Sequence, residues 1–106
     1  MIKEISVRDL AEWRKSGKHF VLLDVRDPDE VATVRLDGSL WIPMREIPQR
    51  LGELDPALPV AVMCHHGGRS ERVAEFLASR GFADVANVAG GIDAYAAHVE
   101  PALARY

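Results

Sequence analysis

Two continuous apolar stretches mark the chain, Phe20-Val21-Leu22-Leu23-Asp24-Val25 and Val60-Ala61-Val62-Met63. Unbroken runs of this length predict strands buried on both faces, as in a parallel sheet. Val85 to Val88 predicts another strand, Ser39 to Ile42 a further one stopped by Pro43, and Ile2 to Ile5 a short edge strand. Between these runs the apolar positions recur at helical spacing. Val7, Leu10, Ala11 and Trp13 predict a helix over 7–15, entered through Ser6 with Asp9 three residues on and closed by Gly17. Asp27-Pro28-Asp29-Glu30 is a helix start, with an N-cap, a proline in the first turn and acids near the positive helix end. That helix must stop before the Asp37-Gly38 turn. Glu46 to Leu54 reads as helix with Leu51 and Leu54 inward. Ser70 to Arg80 reads as helix with Ser70 as cap and Val73, Phe76 and Leu77 inward. Gly90-Gly91 then turns the chain into a last helix, Ile92 to His98, before a tail over 101–106.

Strands alternating with helices predict an α/β fold, a parallel sheet flanked by helices on both faces, in one domain over residues 1–106. Such sheets bind ligands beyond the carboxyl ends of their strands. Two segments fall on that edge: Asp24-Val25-Arg26-Asp27 and the stretch that begins at Cys64. Composition changes little in this picture. A net charge of −3 argues against nucleic acid or an anionic membrane as partner. No apolar run reaches the roughly 18 residues of a membrane helix. Met1-Ile2-Lys3-Glu4 opens no secretory apolar region, so a cytoplasmic location is expected.

The chemistry concentrates in Cys64-His65-His66-Gly67-Gly68-Arg69-Ser70. Cys64 is the only cysteine, which excludes an internal disulfide and an internal resolving thiol. A helix N-terminus and nearby cations lower a thiol pKa, and both lie within a few residues. No proline interrupts the segment, so every backbone N–H can donate. Gly67 and Gly68 allow the positive φ that curls successive N–H groups into an anion nest. Cys64 is therefore the candidate nucleophile. Arg69 is the candidate group for orienting an anionic substrate, helped by His65 or His66. A metal site built on Cys64, His65 and His66 is disfavoured, because adjacent residues rarely converge on one ion and the sequence shows no second cluster. No cofactor is expected. Asp24, an acid in an apolar strand, is expected to pair with a cation, with Arg26 beside it as a supporting residue. His19 and His98 read as structural or surface residues, and Trp13, Trp41 and Tyr95 as core or half-buried aromatics.

With these blocks in place, the chain resembles the single-domain rhodanese-like sulfurtransferases over nearly its whole length. The resemblance rests on Val21 to Glu30, on Gly38 with Ile42-Pro43, on the Cys64 loop, and on Gly81-Phe82 through Val88-Ala89-Gly90-Gly91-Ile92. It implies that Cys64 takes a sulfane sulfur from a donor such as thiosulfate, becomes a persulfide, and passes the sulfur to a thiophilic acceptor. Cyanide would serve in an assay, and a thiol or sulfur-acceptor protein in the cell. The C-x4-R spacing from Cys64 to Arg69 is shorter than the C-x5-R loop of related cysteine-based phosphatases, which suits a single sulfur rather than a phosphate. The chain departs from the usual family pattern at Val31, at Val34-Arg35 in place of Gly-His, at Gly38-Ser39, and at Tyr95 where a tryptophan is usual. The rival readings are a non-enzymatic binding or sensing module and a phosphatase or arsenate reductase. The short loop and the single cysteine count against the latter pair.

Overall fold

A computed structural model of the chain describes residues 2–106. Five strands, β1 (Lys3–Ile5), β2 (Val21–Asp24), β3 (Leu40–Trp41), β4 (Val60–Met63) and β5 (Val85–Val88), form one sheet. The order is β1-β5-β4-β2-β3 and every pairing is parallel. The central strands are the continuous apolar runs, because only strands covered on both faces need apolar residues at every position. Four helices cover the sheet: α1 (Val7–Ser16), α2 (Pro28–Thr33), α3 (Gly68–Ser79) and α4 (Gly91–His98). No helix among the described residues is long and apolar enough to cross a membrane.

Side-chain alternation along the strands sorts the core into two layers. Ala61 and Met63 of β4 join Leu22, Ala86 and Val88 beneath α1 and α4, where Leu10, Ile92 and Tyr95 pack. Val60 and Val62 point the other way, with Leu23 and Val85, against Val73, Ala74 and Leu77 of α3. Cys64 continues the second series and is packed in that layer. Its side chain therefore lies on the α3 side of the sheet, just beyond the carboxyl end of β4.

Caps explain most helix limits. The Ser6 hydroxyl accepts from the Asp9 N–H, the Asp9 carboxylate accepts from the Ser6 N–H, and Gly17 closes α1 in a left-handed conformation. Two expectations need correction. Residues 46–54 are not an α-helix; they form two short 3₁₀ turns, Met44–Glu46 and Leu51–Glu53. Pro48 has no N–H to give, and the bonds from Ile47 to Met44, Arg50 to Ile47, Glu53 to Arg50 and Leu54 to Leu51 are of the tighter i→i−3 kind, so the run never settles into a regular α-helix. Leu54 is still buried, and Arg50 ties the two turns by pairing with Glu46 and Glu53. Ser70 is not the cap of α3. The helix starts at Gly68 behind Gly67, whose φ of 117° favours glycine, and Ser70 lies inside the first turn.

The strongest polar constraint in the fold sits at the end of β2. Asp24 and Arg26 are both 0% exposed and bonded to each other through Arg26 Nη2 and Asp24 Oδ2 at 2.7 Å, and through Nε at 2.9 Å. Arg26 also donates to the carbonyls of Val34 (2.7 Å) and Glu30 (3.3 Å), and the Trp41 indole donates to the Arg26 carbonyl (2.8 Å). One buried pair thereby fastens β2 to α2, to the segment after it and to β3. Burial works against the charge on Arg26, but the Asp24 carboxylate and the Tyr106 phenol together outweigh it, so the Arg26 pKa lies above its ordinary value. Breaking such a pair strands a buried charge. Asp24→Ala should cost about 3–5 kcal/mol of stability, read as the shift in a urea unfolding curve. Replacing both residues by apolar ones of similar volume should cost clearly less than the sum of the two single changes.

Candidate active site

The site is assembled where β4 stops. The N–H groups of Gly67 and Ser70 donate to Cys64 Sγ at 3.1 and 3.4 Å, and the Ser70 hydroxyl lies 3.3 Å from the same sulfur. Burial pushes the Cys64 pKa up, but these donors, with the Ser70 hydroxyl foremost and the His66 N–H among them, bring it below the ordinary thiol value.

Two other elements hold this ring of donors in place. The first is β5. Asn87, polar in an otherwise apolar strand, holds the Ser70 hydroxyl 2.5 Å from its amide oxygen, the one hydroxyl proton serving either that oxygen or the sulfur, and its amide nitrogen donates to Gly67 O (3.3 Å) and to Glu4 Oε2 (3.0 Å). The second is the start of α4. Its Ile92 and Asp93 N–H groups donate to the carbonyls of Cys64 (2.9 Å) and His65 (3.1 Å). Loop and helix approach closely only because residue 91 is glycine: a methyl group there would run into both of those carbonyl oxygens. The late Gly90-Gly91 pair is thus a support for the cysteine loop as well as a turn.

Arg69 is committed to an ion pair. Its Nη1 and Nη2 donate to Glu30 Oε2 and Oε1 at 2.7 and 2.9 Å, and Asp27 lies 3.9 Å away. Arg69 holds the Glu30 carboxyl down at a pKa of about 2 against some opposition from burial, and Glu30 in turn raises that of Arg69. The Tyr106 hydroxyl donates to Glu30 Oε1 (2.7 Å) and accepts from Arg26 (3.1 Å). Burial pushes the Tyr106 phenol up to about 12. The Tyr106 ring stacks on His65, and His65 stacks on His66, each with centroids 3.9 Å apart.

An open cavity of about 480 Å³ leads to the sulfur, lined by Cys64, His65, His66, Gly68, Arg69, Glu71 and Arg72. Gly67 and Ser70, both buried, do not line it; they hold the sulfur from behind. Asp24 and Arg26 do not line it; they brace the structure behind it. His65, His66 and Asp93 bring one ligand atom each within 4.8 Å of one another, an acid the sequence did not place beside the histidines. Stacked imidazoles, however, aim their in-plane lone pairs side by side rather than at one point, and Asp93 is already engaged by Arg105 at 3.0 Å. The arrangement makes a poor metal cage.

Three supporting residues escaped the sequence reading. Asn87 carried a signal, a lone amide inside an apolar strand. Glu30 was visible only as a helix-start acid. Tyr106 had no local signal, since it joins the site only through the folded path of the tail.

Three outcomes follow from this geometry. Ser70→Ala should raise the Cys64 pKa and slow alkylation of Cys64 at neutral pH several-fold, read from rate–pH curves. Gly91→Ala should shift the loop and slow the same reaction, because backbone rather than a flexible side chain stands in the way. The Glu30 carboxyl titrates at about 2 in the fold against an ordinary 4.5. Its stabilising contribution is therefore complete above pH 4.5 and is lost as the pH falls toward 2. Glu30→Gln should flatten the fall in stability over that window, measured by urea unfolding at a series of pH values.

Comparisons with known proteins agree with this architecture. Residues 6–98 match the Rhodanese-like domain family. A sulfurtransferase of Allochromatium vinosum is 33% identical over 104 residues, covering 98% of this chain and 97% of that protein. The Rhodanese-like/PpiC domain-containing protein 12, chloroplastic, of Arabidopsis thaliana is 39% identical over 89 residues, and the match covers 80% of this chain but 30% of that longer protein. The crystal structure of a rhodanese-like domain protein from Staphylococcus aureus superposes with a TM-score of 0.86 at 28% identity, covering 99% of both chains. With a parallel five-stranded sheet, a cysteine loop at its carboxyl edge and full-length sulfurtransferase relatives, this chain belongs to the rhodanese-like family.

Proposed function

We propose that the protein is a sulfurtransferase that carries a sulfane sulfur as a persulfide on Cys64. The observation that carries this reading is the set of donors aimed at one sulfur, the N–H groups of Gly67 and Ser70 and the Ser70 hydroxyl, behind an open cavity that Cys64 lines. In the first half-reaction the Cys64 thiolate attacks the outer sulfur of a donor such as thiosulfate. A new S–S bond forms, the donor's own S–S bond breaks, and its electron pair leaves with sulfite. In the second, an acceptor nucleophile attacks the terminal sulfur and Cys64 leaves as thiolate. The loop donors stabilise negative charge on Cys64 before and after transfer and on the terminal sulfur between. His65, His66, Gly68 and Arg69 wall the approach, with Arg69 held in place by Glu30.

Because Cys64 is the only cysteine, the persulfide has no internal thiol to discharge it. An outside acceptor is required: cyanide in an assay, and a small thiol or a sulfur-acceptor protein in the cell. Ping-pong kinetics should follow.

Treatment with thiosulfate should add the mass of one sulfur atom to the protein, reversibly by thiols. Cys64→Ser should show neither the added mass nor transfer to cyanide while keeping its fold by circular dichroism. A fully active serine variant would remove Cys64 from the reaction. Wild-type protein that never gains sulfur would favour a binding module instead.

A further inference from the structure

The proposed donors are anions, and the charges around the cavity are mostly spent. Arg69 is neutralised by Glu30 at 2.7 and 2.9 Å, with Asp27 close by, and Arg26 is neutralised by Asp24 behind the site. Glu30, with a pKa of about 2, stays ionised at any working pH, so the Arg69 pair offers an incoming anion no net positive charge. Arg72 is different. It lines the same 480 Å³ cavity as Cys64, and among the described residues it has no carboxylate within salt-bridge distance. It also borders a small apolar recess with Met44, Ile47, Pro48 and Phe76. That surface gives its aliphatic stem something to lie on while the guanidinium reaches solvent. The cavity's one carboxylate is Glu71, which opposes an anion.

We infer that Arg72 is the residue that selects anionic donors at Cys64, by pairing with the oxyanion end of a thiosulfate or organic thiosulfonate while its outer sulfur meets the thiolate. This rests on the proposed sulfurtransferase reading for the identity of the donor, but not for the anion preference itself. Thiosulfate would leave as sulfite and a thiosulfonate as its sulfinate, each departing with the electron pair of the broken S–S bond. Arg72 touches the part of the donor that departs and stays clear of the sulfur retained on Cys64. Its removal should therefore weaken binding of the anion and leave the reactivity of the sulfur itself untouched. Glu71, its neighbour in sequence, sets the opposite bias, so the balance between the two tunes how strongly the cavity prefers anions.

The single cysteine makes a direct test available without any sulfur transfer. Cys64 is alkylated by iodoacetate, an anion, and by iodoacetamide, which is neutral. The ratio of the two rates cancels any change in the Cys64 pKa. Arg72→Ala should lower that ratio about five-fold at low salt, and Arg72→Lys should restore most of it. Glu71→Gln should raise it, and Arg8→Ala, on an exposed face of α1, should leave it unchanged. An unaltered ratio in Arg72→Ala, or a loss equal in both reagents, would overturn the inference. In sulfur transfer, Arg72→Ala should raise KM for thiosulfate several-fold with kcat little changed; a fall in kcat alone would count against it. If the wild-type protein forms no persulfide yet the alkylation ratio responds as stated, the donor assignment fails and the anion site stands.

Discussion

A sulfur nearly shielded from water yet ringed by hydrogen-bond donors is the constraint around which this protein is built. Burial alone would hold Cys64 as a thiol. The opposing force comes from the N–H groups of Gly67 and Ser70 and the Ser70 hydroxyl. These are weak donors individually, and they matter only if they stay pointed inward. Asn87 fixes two of them, through the Ser70 hydroxyl and the Gly67 carbonyl. The first N–H groups of α4 fix the other end of the loop through the carbonyls of Cys64 and His65. Two segments that come late in the chain, β5 and the glycine pair before α4, are therefore structural parts of a site whose chemistry sits in the middle.

The ion pairs extend the same logic outward. Asp24 with Arg26 and Glu30 with Arg69 form a layer behind and beside the loop, joined by the Tyr106 hydroxyl, which contacts both Arg26 and Glu30. A layer of matched charges can hold α2 against the cysteine loop without placing a large field on the sulfur. The cost is that Arg69, adjacent in sequence to the loop and the obvious cation for an anionic substrate, has its charge absorbed. On the inference drawn above, attraction would fall to a different arginine, Arg72.

Much of this was legible in the sequence because it is local. Apolar runs marked the buried strands, the Ser6–Asp9 and Asp27–Pro28 signals marked two helix starts, and Gly67 marked the left-handed turn after Cys64, whereas Gly68, expected to share that conformation, opens α3 without a positive φ. The errors arose where a local signal had two readings. Ser70 has the composition of a cap, yet its hydroxyl turns to the sulfur and Asn87, and Gly67 takes the capping position because only its positive φ lets the loop close. Leu51 and Leu54 have helical spacing, yet Pro48 divides the segment into 3₁₀ turns. What could not be read was tertiary pairing. Glu30 is 39 residues from Arg69 and Tyr106 is 76 from Glu30, and no periodicity links them. The family departure at Tyr95 is likewise explained only in three dimensions: its phenol receives Arg14 at 2.8 Å, a bond the indole usual at that position could not accept.

The distribution of charge also bears on how a persulfide, once made, could be kept and then released. A terminal sulfur held by backbone amides has no side-chain cation locked onto it, so release requires no ion pair to be broken. The group proposed to greet an anionic donor, Arg72, stands at the exposed rim and would lose its partner when the leaving group departs. Capture and retention then depend on different atoms, the rim for the anion and the loop for the sulfur. An acceptor without negative charge would meet the second set and owe little to the first. In a chain with one cysteine, where the proposed turnover would have to end on an outside nucleophile, that separation would let donor and acceptor be chosen by different features of the same small cavity.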